Sequence, residues 1–335
     1  MYFNMSLQSL IKHPNFHIFV FTALLAKIVG IYLLVYLLSH TPRKPFPEEL
    51  EYITIDNKDG VKRHKLTTSR DENIELSVIV PSYNETSRIF IMLKEAIEYL
   101  QDNLKDQWEI IIVDDGSSDG TTEYCLKLSR EKFHLKPGQL RVIKFTQNRG
   151  KGGAVRQGML HIRGKYGLFA DADGASKFSD ISKLLLNIKE IENNEIKSGG
   201  NSAAVVLGSR AHMVNTEAVI KRSLLRNTLM YGFHGLVYVF GIRSIKDTQC
   251  GFKLFNREAI DMIFPFLHTE GWIFDVEVLI LTITKKIPIK EVPISWHEVG
   301  GSKMNLKIDS LMMAKDLVII RLAYILGIYK PTRKV

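Results

Sequence analysis

Leu168–Phe178 reads LFADADGASKF, and the fold turns on how that stretch is read. An apolar run beginning at Tyr166 stops at two carboxylates, Asp171 and Asp173, followed by Gly174. In an extended segment side chains alternate faces, so residues i and i+2 share one. Asp171 and Asp173 would then lie side by side and repel. A positive partner belongs between them, and a hard divalent cation with oxygen ligands is the natural candidate. The plain alternative is a loop in which Asp and Gly serve turn chemistry. The neighbouring segments decide between the two.

Those segments alternate short β-branched runs with helical spacing. Strands are predicted at Leu76–Val80, Glu109–Val113, Leu140–Phe145, Tyr166–Ala170 and Ala203–Gly208, with a short one at Tyr52–Ile55. Helices are predicted at Ile89–Leu100, Thr121–Arg130, Gly152–Arg163 and Ser179–Glu192. Asp119 or a nearby Ser or Thr caps the second of these. The run Glu190–Ser202 reads as a polar surface loop. This order predicts an α/β fold with a mostly parallel sheet flanked by helices.

In open sheets of that kind, ligands bind at the carboxyl ends of strands. Three such ends carry polar clusters: Pro81–Glu85 (PSYNE), Asp114–Gly120 (DDGSSDG) and Asp171–Gly174 (DADG). Three clusters on one sheet edge are hard to explain as solvated loops, and they favour the metal reading. Asn148–Gly153 (NRGKGG) lies between the second and third. Glycines ahead of a helix let backbone N–H groups approach an anion. No Ser or Thr follows Lys151 in the frame of the phosphate loop GxxxxGK[ST], so that motif is excluded.

The chain has 335 residues, 45% of them hydrophobic, enough for one large domain or two small ones. A net charge of +9 suits nucleic acid, anionic lipid or phosphorylated small molecules. The basic residues are scattered, and no helix-turn-helix, zinc or stacking motif accompanies them, which argues against nucleic acid. Cys125 and Cys250 lack metal-ligand spacing and indicate no disulfide framework, which suits a reducing compartment.

Ile18–Leu38 (IFVFTALLAKIVGIYLLVYLL) is apolar or small apart from Lys27. It matches the ~20 residues a helix needs to cross a bilayer. A central Lys costs about 2.5–3.5 kcal/mol on the insertion scale, which the surrounding apolar side chains offset. The run exceeds a signal-peptide core, and no small-residue cleavage site follows it. Arg43, Lys44, Lys58, Lys62, Arg63 and Lys65 come after it, against Lys12 and His13 before it. This asymmetry puts the folded part on the cytosolic side.

The predicted organisation is a tail at 1–16, a single span at 17–40, a Pro-rich charged connector at 41–73, a catalytic domain at 74–300 and a carboxyl-terminal amphipathic helix at 301–335. Ser223–Gly241 and Ile308–Tyr329 are apolar with a few charges or glycines. Each fits either a core helix or a helix lying in the membrane interface, the first at about 220–241.

VIVPSYNE, VDDGSSDGT, NRGKGGAVRQG and DADG, in that order, resemble the GT-A nucleotide-sugar glycosyltransferases. The resemblance runs from Leu76 to Gly301. ADADGASKF, GSRAH, DTQCGFKLF and GWIFDVEVL, behind an amino-terminal span, are most similar to the dolichyl-phosphate β-glucosyltransferases. The mannosyl relatives tend to continue after the second acid in a DADLQHPP-like way, which is absent here. No Arg-Trp pair is present, so the QxxRW motif of processive polysaccharide synthases is missing. PSYNE stands where a nucleotidyltransferase would carry a Gly-rich loop.

The resemblance implies inverting transfer of glucose from UDP-glucose to dolichyl phosphate at the cytosolic face of the endoplasmic reticulum membrane, for N-glycan assembly. It implies that Pro81, Tyr83 and Glu85, with Asp114 or Asp115, hold the uridine, with Lys151 near the nucleotide. Asp171 would bind the donor, and with Asp173 hold the Mg²⁺ or Mn²⁺ that bridges the diphosphate. Arg210, Arg226, Ser302 and Lys303 would bind the acceptor phosphate, for which arginine's fork is suited. Asp247 would be a catalytic-face carboxylate orienting the acceptor, with Glu270, Asp275 and Glu277 as alternatives. The implied partners are UDP-glucose, dolichyl phosphate and membrane lipid, without nucleic acid; a homo-oligomer is compatible with this reading. A mannosyl or other polyprenyl-phosphate transferase on the same fold is the nearest alternative. A membrane-tethered basic binding protein is the alternative from another class.

Overall fold

The structure, a computed structural model, describes residues 15–56, 60–199, 202–213, 232, 235–238, 240 and 242–332. It begins with helix α1 (Phe16–Leu38), in which only Val35 is buried. This helix is long and apolar enough to cross a membrane, and Phe19, Phe21, Leu34 and Leu37 are among its exposed side chains.

The stretch at 41–73 is more than a connector. After a 3-10 turn at Pro47–Leu50, β1 (Glu51–Ile55) and β2 (Val61–Lys65) form an antiparallel hairpin, and β1 joins the main sheet beside β5. Glu49 anchors the turn: it is fully buried, receives Arg43 Nη2 at 2.6 Å, and accepts from the backbone N of Phe46 at 2.9 Å. Its carboxyl is held below the ordinary range: burial opposes this, and those hydrogen bonds outweigh it.

The rest of the chain runs β3 (Leu76–Ser82), α2 (Ile89–Leu104), β4 (Trp108–Asp114), α3 (Thr121–Lys127), β5 (Leu140–Lys144), α4 (Lys151–Leu160), β6 (Tyr166–Ala170), α5 (Ile181–Ser198), β7 (Val205–Ser209), β8 (Phe252–Asn256), α6 (Arg257–Ile263), α7 (Phe274–Thr284), β9 (Ile289–Pro293) and α8 (Leu306–Ile325). The sheet order is β2-β1-β5-β4-β3-β6-β8-β7-β9. Its heart, β5-β4-β3-β6, is parallel, while β8 pairs antiparallel with both β6 and β7. Strands buried on both faces read as continuous apolar runs, which is why LSVIV and EIIIV signal a parallel centre. Ile79, Ile111 and Val113 face one core with Phe169 and Phe274. Val78, Val80, Ile110 and Ile112 face the other, under α2 and α5.

Three expectations change. The predicted loop at Glu190–Ser202 is helical as far as Ser198, and Gly199 closes α5 at φ +72°. Glu192 is drawn inward there, accepting from Tyr166 OH at 2.7 Å and Asn256 Nδ2 at 2.8 Å. Helix α3 stops at Lys127 and continues as a π turn, Leu128–Lys132, not as α-helix to Arg130. Strands β2, β8 and β9 were not expected. Helix α8 has features of both readings left open for it: Met313, Leu317, Ile320 and Ala323 are buried, while Ile308, Leu311, Met312 and Ile325 are exposed. Of the helix expected at about 220–241, only six residues are described, and Arg226 lies outside the described residues.

Candidate active site

The parallel pairing sets the three polar clusters side by side. Ser82 is in register with Asp114, and Ile79 with Phe169 two positions before the acid pair. The first two loops are stitched together. Asn84 N donates to Ser117 Oγ at 2.9 Å, Ser118 N donates to Asn84 Oδ1 at 2.9 Å, and Glu85 N donates to Thr121 Oγ1 at 2.9 Å. Asp119 works from outside the helix start, accepting from Thr121 N at 3.0 Å and Thr86 N at 3.1 Å. Pro81 is half-buried at the end of β3, and Tyr83 is 40% exposed over the edge.

The two candidates for the uridine differ in what they already do. Asp114 is fully buried and engaged by its own loop, accepting from Ser117 N at 2.8 Å and from Thr122 Oγ1. Asp115 accepts from the backbone N of Arg149 at 2.6 Å and of Gly150 at 2.9 Å, so it braces the turn that opens α4. Burial pushes its carboxyl up to about 6, against the pull of those two donors and of the Arg149 charge. Gly150 must be glycine: its φ is +92°, and a Cβ would fall 2.6 Å from the Glu270 carbonyl oxygen.

The expected crowding of negative charge is present. Burial, and then the Asp171 charge, raise the Asp173 carboxyl above its ordinary value. The positive partner in this structure is Lys151, the first residue of α4, with Nζ 2.7 Å from Asp171 Oδ1. Burial works against its charge, but Asp171 and Asp275 outweigh burial and raise its pKa. The ammonium also lies over the rings of Phe169, at 5.2 Å, and Trp272, at 5.6 Å. Beneath it a second pair is buried, with Lys253 Nζ 2.5 Å from Asp275 Oδ1.

Gly251 makes room for Asp171. A Cβ there would lie 2.0 Å from Asp171 Oδ2, and the Gly251 carbonyl accepts from Asp171 N at 3.1 Å. Among the described residues no group of three or more His, Cys, Asp and Glu is arranged to enclose a metal ion. The donor set therefore offers a two-carboxylate edge. That fits Mg²⁺, which keeps several waters and commonly binds through one or two carboxylates plus substrate phosphates.

On the other flank, Arg210 follows β7 and is locked onto Asp247. Nε donates to Oδ2, Nη2 to Oδ1 and the backbone N to Oδ2, each at 2.8 Å. Both Asp247 carboxylate oxygens are thus engaged by Arg210. Glu291 accepts from Asp247 N at 3.0 Å. Ser302 and Lys303 are exposed on the loop ahead of α8. The three alternative acids all have structural partners. Glu270 pairs with Arg149, Asp275 with Lys253, and buried Glu277 accepts from His268 N, Thr269 N and Tyr324 OH.

Two residues at the site were missed from the sequence, Gly251 and Arg88. Arg88 grips Glu85 with Nε at 2.8 Å and Nη2 at 2.5 Å. The available signal was an arginine at the start of a helix, where the dipole disfavours a cation.

Residues 77–264 match the family described as glycosyl transferase family 2, and this puts the chain among the family 2 glycosyltransferases. Named relatives narrow the class. The Saccharomyces cerevisiae dolichyl-phosphate beta-glucosyltransferase is 65% identical over 318 residues, covering 94% of this chain and 95% of the yeast protein. The proteins of that name from Dictyostelium discoideum and Homo sapiens are 46% and 45% identical, over 90% and 78% of this chain and 92% and 79% of their own. The chain is a member of the dolichyl-phosphate beta-glucosyltransferase family. Among solved structures, the Mycobacterium tuberculosis glucosyl-3-phosphoglycerate synthase is 20% identical with a TM-score of 0.47, covering 74% of this chain and 80% of its own.

Proposed function

We propose that the protein transfers glucose from UDP-glucose to dolichyl phosphate with inversion, giving dolichyl β-D-glucosyl phosphate and UDP. The observation that carries this reading is the 65% identity to the yeast enzyme of that name along nearly the whole chain. The geometry supports a division of labour. Pro81, Tyr83 and Asp115 flank the uridine, with Glu85 presented by Arg88 and Asp114 holding the loop in shape. Lys151 places a positive charge beside the diphosphate. Asp171 and Asp173 are the residues that would hold Mg²⁺ or Mn²⁺, and such an ion, when bound, supplies charge neutralisation for the leaving UDP.

The acceptor phosphate is already anionic at neutral pH, so a strong general base is less necessary than for a sugar hydroxyl. Its oxygen forms the new bond to the anomeric carbon as the bond to UDP breaks on the opposite face. The task is to hold one anion against another. Arg210, fixed in plane by Asp247, suits this, with Ser302, Lys303 and Arg226 as further contacts.

In this reading α1 spans the endoplasmic reticulum membrane, with the sheet on the cytosolic side beside the basic Arg43 and Lys44. The exposed apolar face of α8 lies in the interface, so the polyprenyl chain stays in lipid while its phosphate reaches the site.

The test uses purified protein in detergent with dolichyl phosphate, Mg²⁺ and radiolabelled UDP-glucose or GDP-mannose. Label should enter the organic phase from UDP-glucose only, and be lost with EDTA and in Asp173→Ala. Label from GDP-mannose instead would keep the fold and overturn the sugar.

A further inference from the structure

Arg88 sits at the amino end of α2, in the N-cap position. A lone cation there opposes the helix dipole. What retains it is its set of partners. Nε and Nη2, one edge of the guanidinium, hold the two oxygens of Glu85. Nη1, on the other side, donates to the Gly300 carbonyl at 3.0 Å, across 212 positions of sequence. The next residue, Gly301, turns at φ +80° directly against the arginine stem, where a Cβ would lie 3.6 Å from Arg88 Cδ. The Arg88 side chain is 14% exposed and its grip on Glu85 is shielded, while the bond to Gly300 lies at the surface. Glu85 foremost, and beyond it Asp173 and Asp171, favour its charge. Arg88 therefore contacts both loops at once.

We propose that Arg88 is a positioning residue that ties the donor half of the site to the acceptor half. One edge of its fork fixes Glu85 in the PSYNE loop; the remaining N–H fixes the backbone of the loop that carries Ser302 and Lys303. Only a planar fork with donors on several sides does both at once. A lysine keeps the charge next to Glu85 and loses the reach to Gly300. The inference rests on the glycosyl-transfer reading for its kinetic consequence, and on the geometry alone for the tether.

The experiment compares full-length protein with Arg88→Lys and Arg88→Ala in detergent. It reads the KM of each substrate, the melting temperature, and amide hydrogen exchange across 298–305. Arg88→Lys should raise the KM for dolichyl phosphate about tenfold while the KM for UDP-glucose stays within about twofold, since a hydrogen bond from a charged group is removed on one side only. Arg88→Ala should raise both. Exchange across 298–305 should quicken in both variants, with the melting temperature of Arg88→Lys nearly unchanged. Equal changes in the two KM values for Arg88→Lys, or unchanged exchange in that loop, would overturn the proposal. If the wild type transfers no glucose, the functional reading fails, and the exchange comparison still decides the tether by itself.

Discussion

Arg210 and Asp247 meet edge to edge, with Nε–Oδ2 and Nη2–Oδ1 both at 2.8 Å. They are 37 positions apart, on the segments that follow β7 and precede β8. The Asp247 side chain is 9% exposed and that of Arg210 29%. Burial alone would raise the Asp247 carboxyl, but the Arg210 hydrogen bonds and charge overcome it and hold the pKa below the ordinary range. Two parallel bonds fix the guanidinium plane and leave Nη1 aimed elsewhere. The pair is a mount for one arginine donor.

A double-mutant cycle over Arg210→Ala and Asp247→Ala should therefore show strong coupling. Each single variant leaves a shielded charge without its partner, and the double variant does not. A coupling of about 1–3 kcal/mol in chemical unfolding is expected for a bidentate charged pair. Asp247→Asn should lower acceptor use while donor binding, read by calorimetry, is retained. Equal loss of both would place Asp247 in the donor half.

Gly251→Ala tests the acid pair without touching a charge. The new methyl would stand 2.0 Å from Asp171 Oδ2, and the flexible end of Asp171 is what must move. Glucosyl transfer should fall about as far as in Asp171→Ala, roughly a hundredfold or more for a displaced charge ligand. The melting temperature should change little. Full activity in Gly251→Ala would mean that the Asp171 carboxylate is not needed where the structure has it.

The strands of the parallel heart were readable because burial on both faces leaves LSVIV and EIIIV apolar except for Ser77 and Glu109, which are buried and paired with each other at 2.7 Å. The site was readable because each of those strands breaks off at a polar cluster. What was hidden depends on partners distant in sequence. Strand β2 is fully exposed along VKRHK and shows no alternation, so only pairing with β1 makes it a strand. Glu192 stands where a predicted helix meets a predicted surface loop, and Tyr166 and Asn256 draw it inward. Gly251 carries no local mark of its role, Arg88 only that of a cation at a helix start, and Asp247 is singled out by the resemblance without its partner. Their partners, Gly300, Arg210 and Asp171, come from other elements of the fold.

Lys151→Met separates the lysine from the metal. In this structure the ammonium neutralises Asp171 at 2.7 Å, where a cation would compete with it. Removing it should tighten binding of Mn²⁺ alone by about tenfold or more, since an opposing unit charge a few ångströms away is lost. Binding of UDP-glucose should weaken, because the charge beside the diphosphate is gone. Paramagnetic resonance of free Mn²⁺ reads the first effect and calorimetry the second. Mn²⁺ binding that is unchanged in Lys151→Met, and equally unchanged in Asp171→Ala, would remove this acid pair as the metal ligands.

Asp115 makes stability and activity respond to pH in opposite senses. Its folded pKa, about 6, lies above the ordinary value of 3.8. The folded state thus binds this proton more tightly than the unfolded chain. The resulting stabilisation is complete below the unfolded value and is lost as pH rises through about 6. The function of Asp115 runs the other way. Its two oxygens brace the turn by accepting from Arg149 N and Gly150 N, and the ionised carboxylate accepts best. Relative to Asp115→Asn, the wild-type melting temperature should decline between pH 4 and pH 7, the window set by those two values. Wild-type transfer should fall as pH drops through about 6, and the variant should lack that limb. Parallel melting curves for the two proteins across this range would show that Asp115 does not titrate there, and that the turn before α4 is braced without help from its charge.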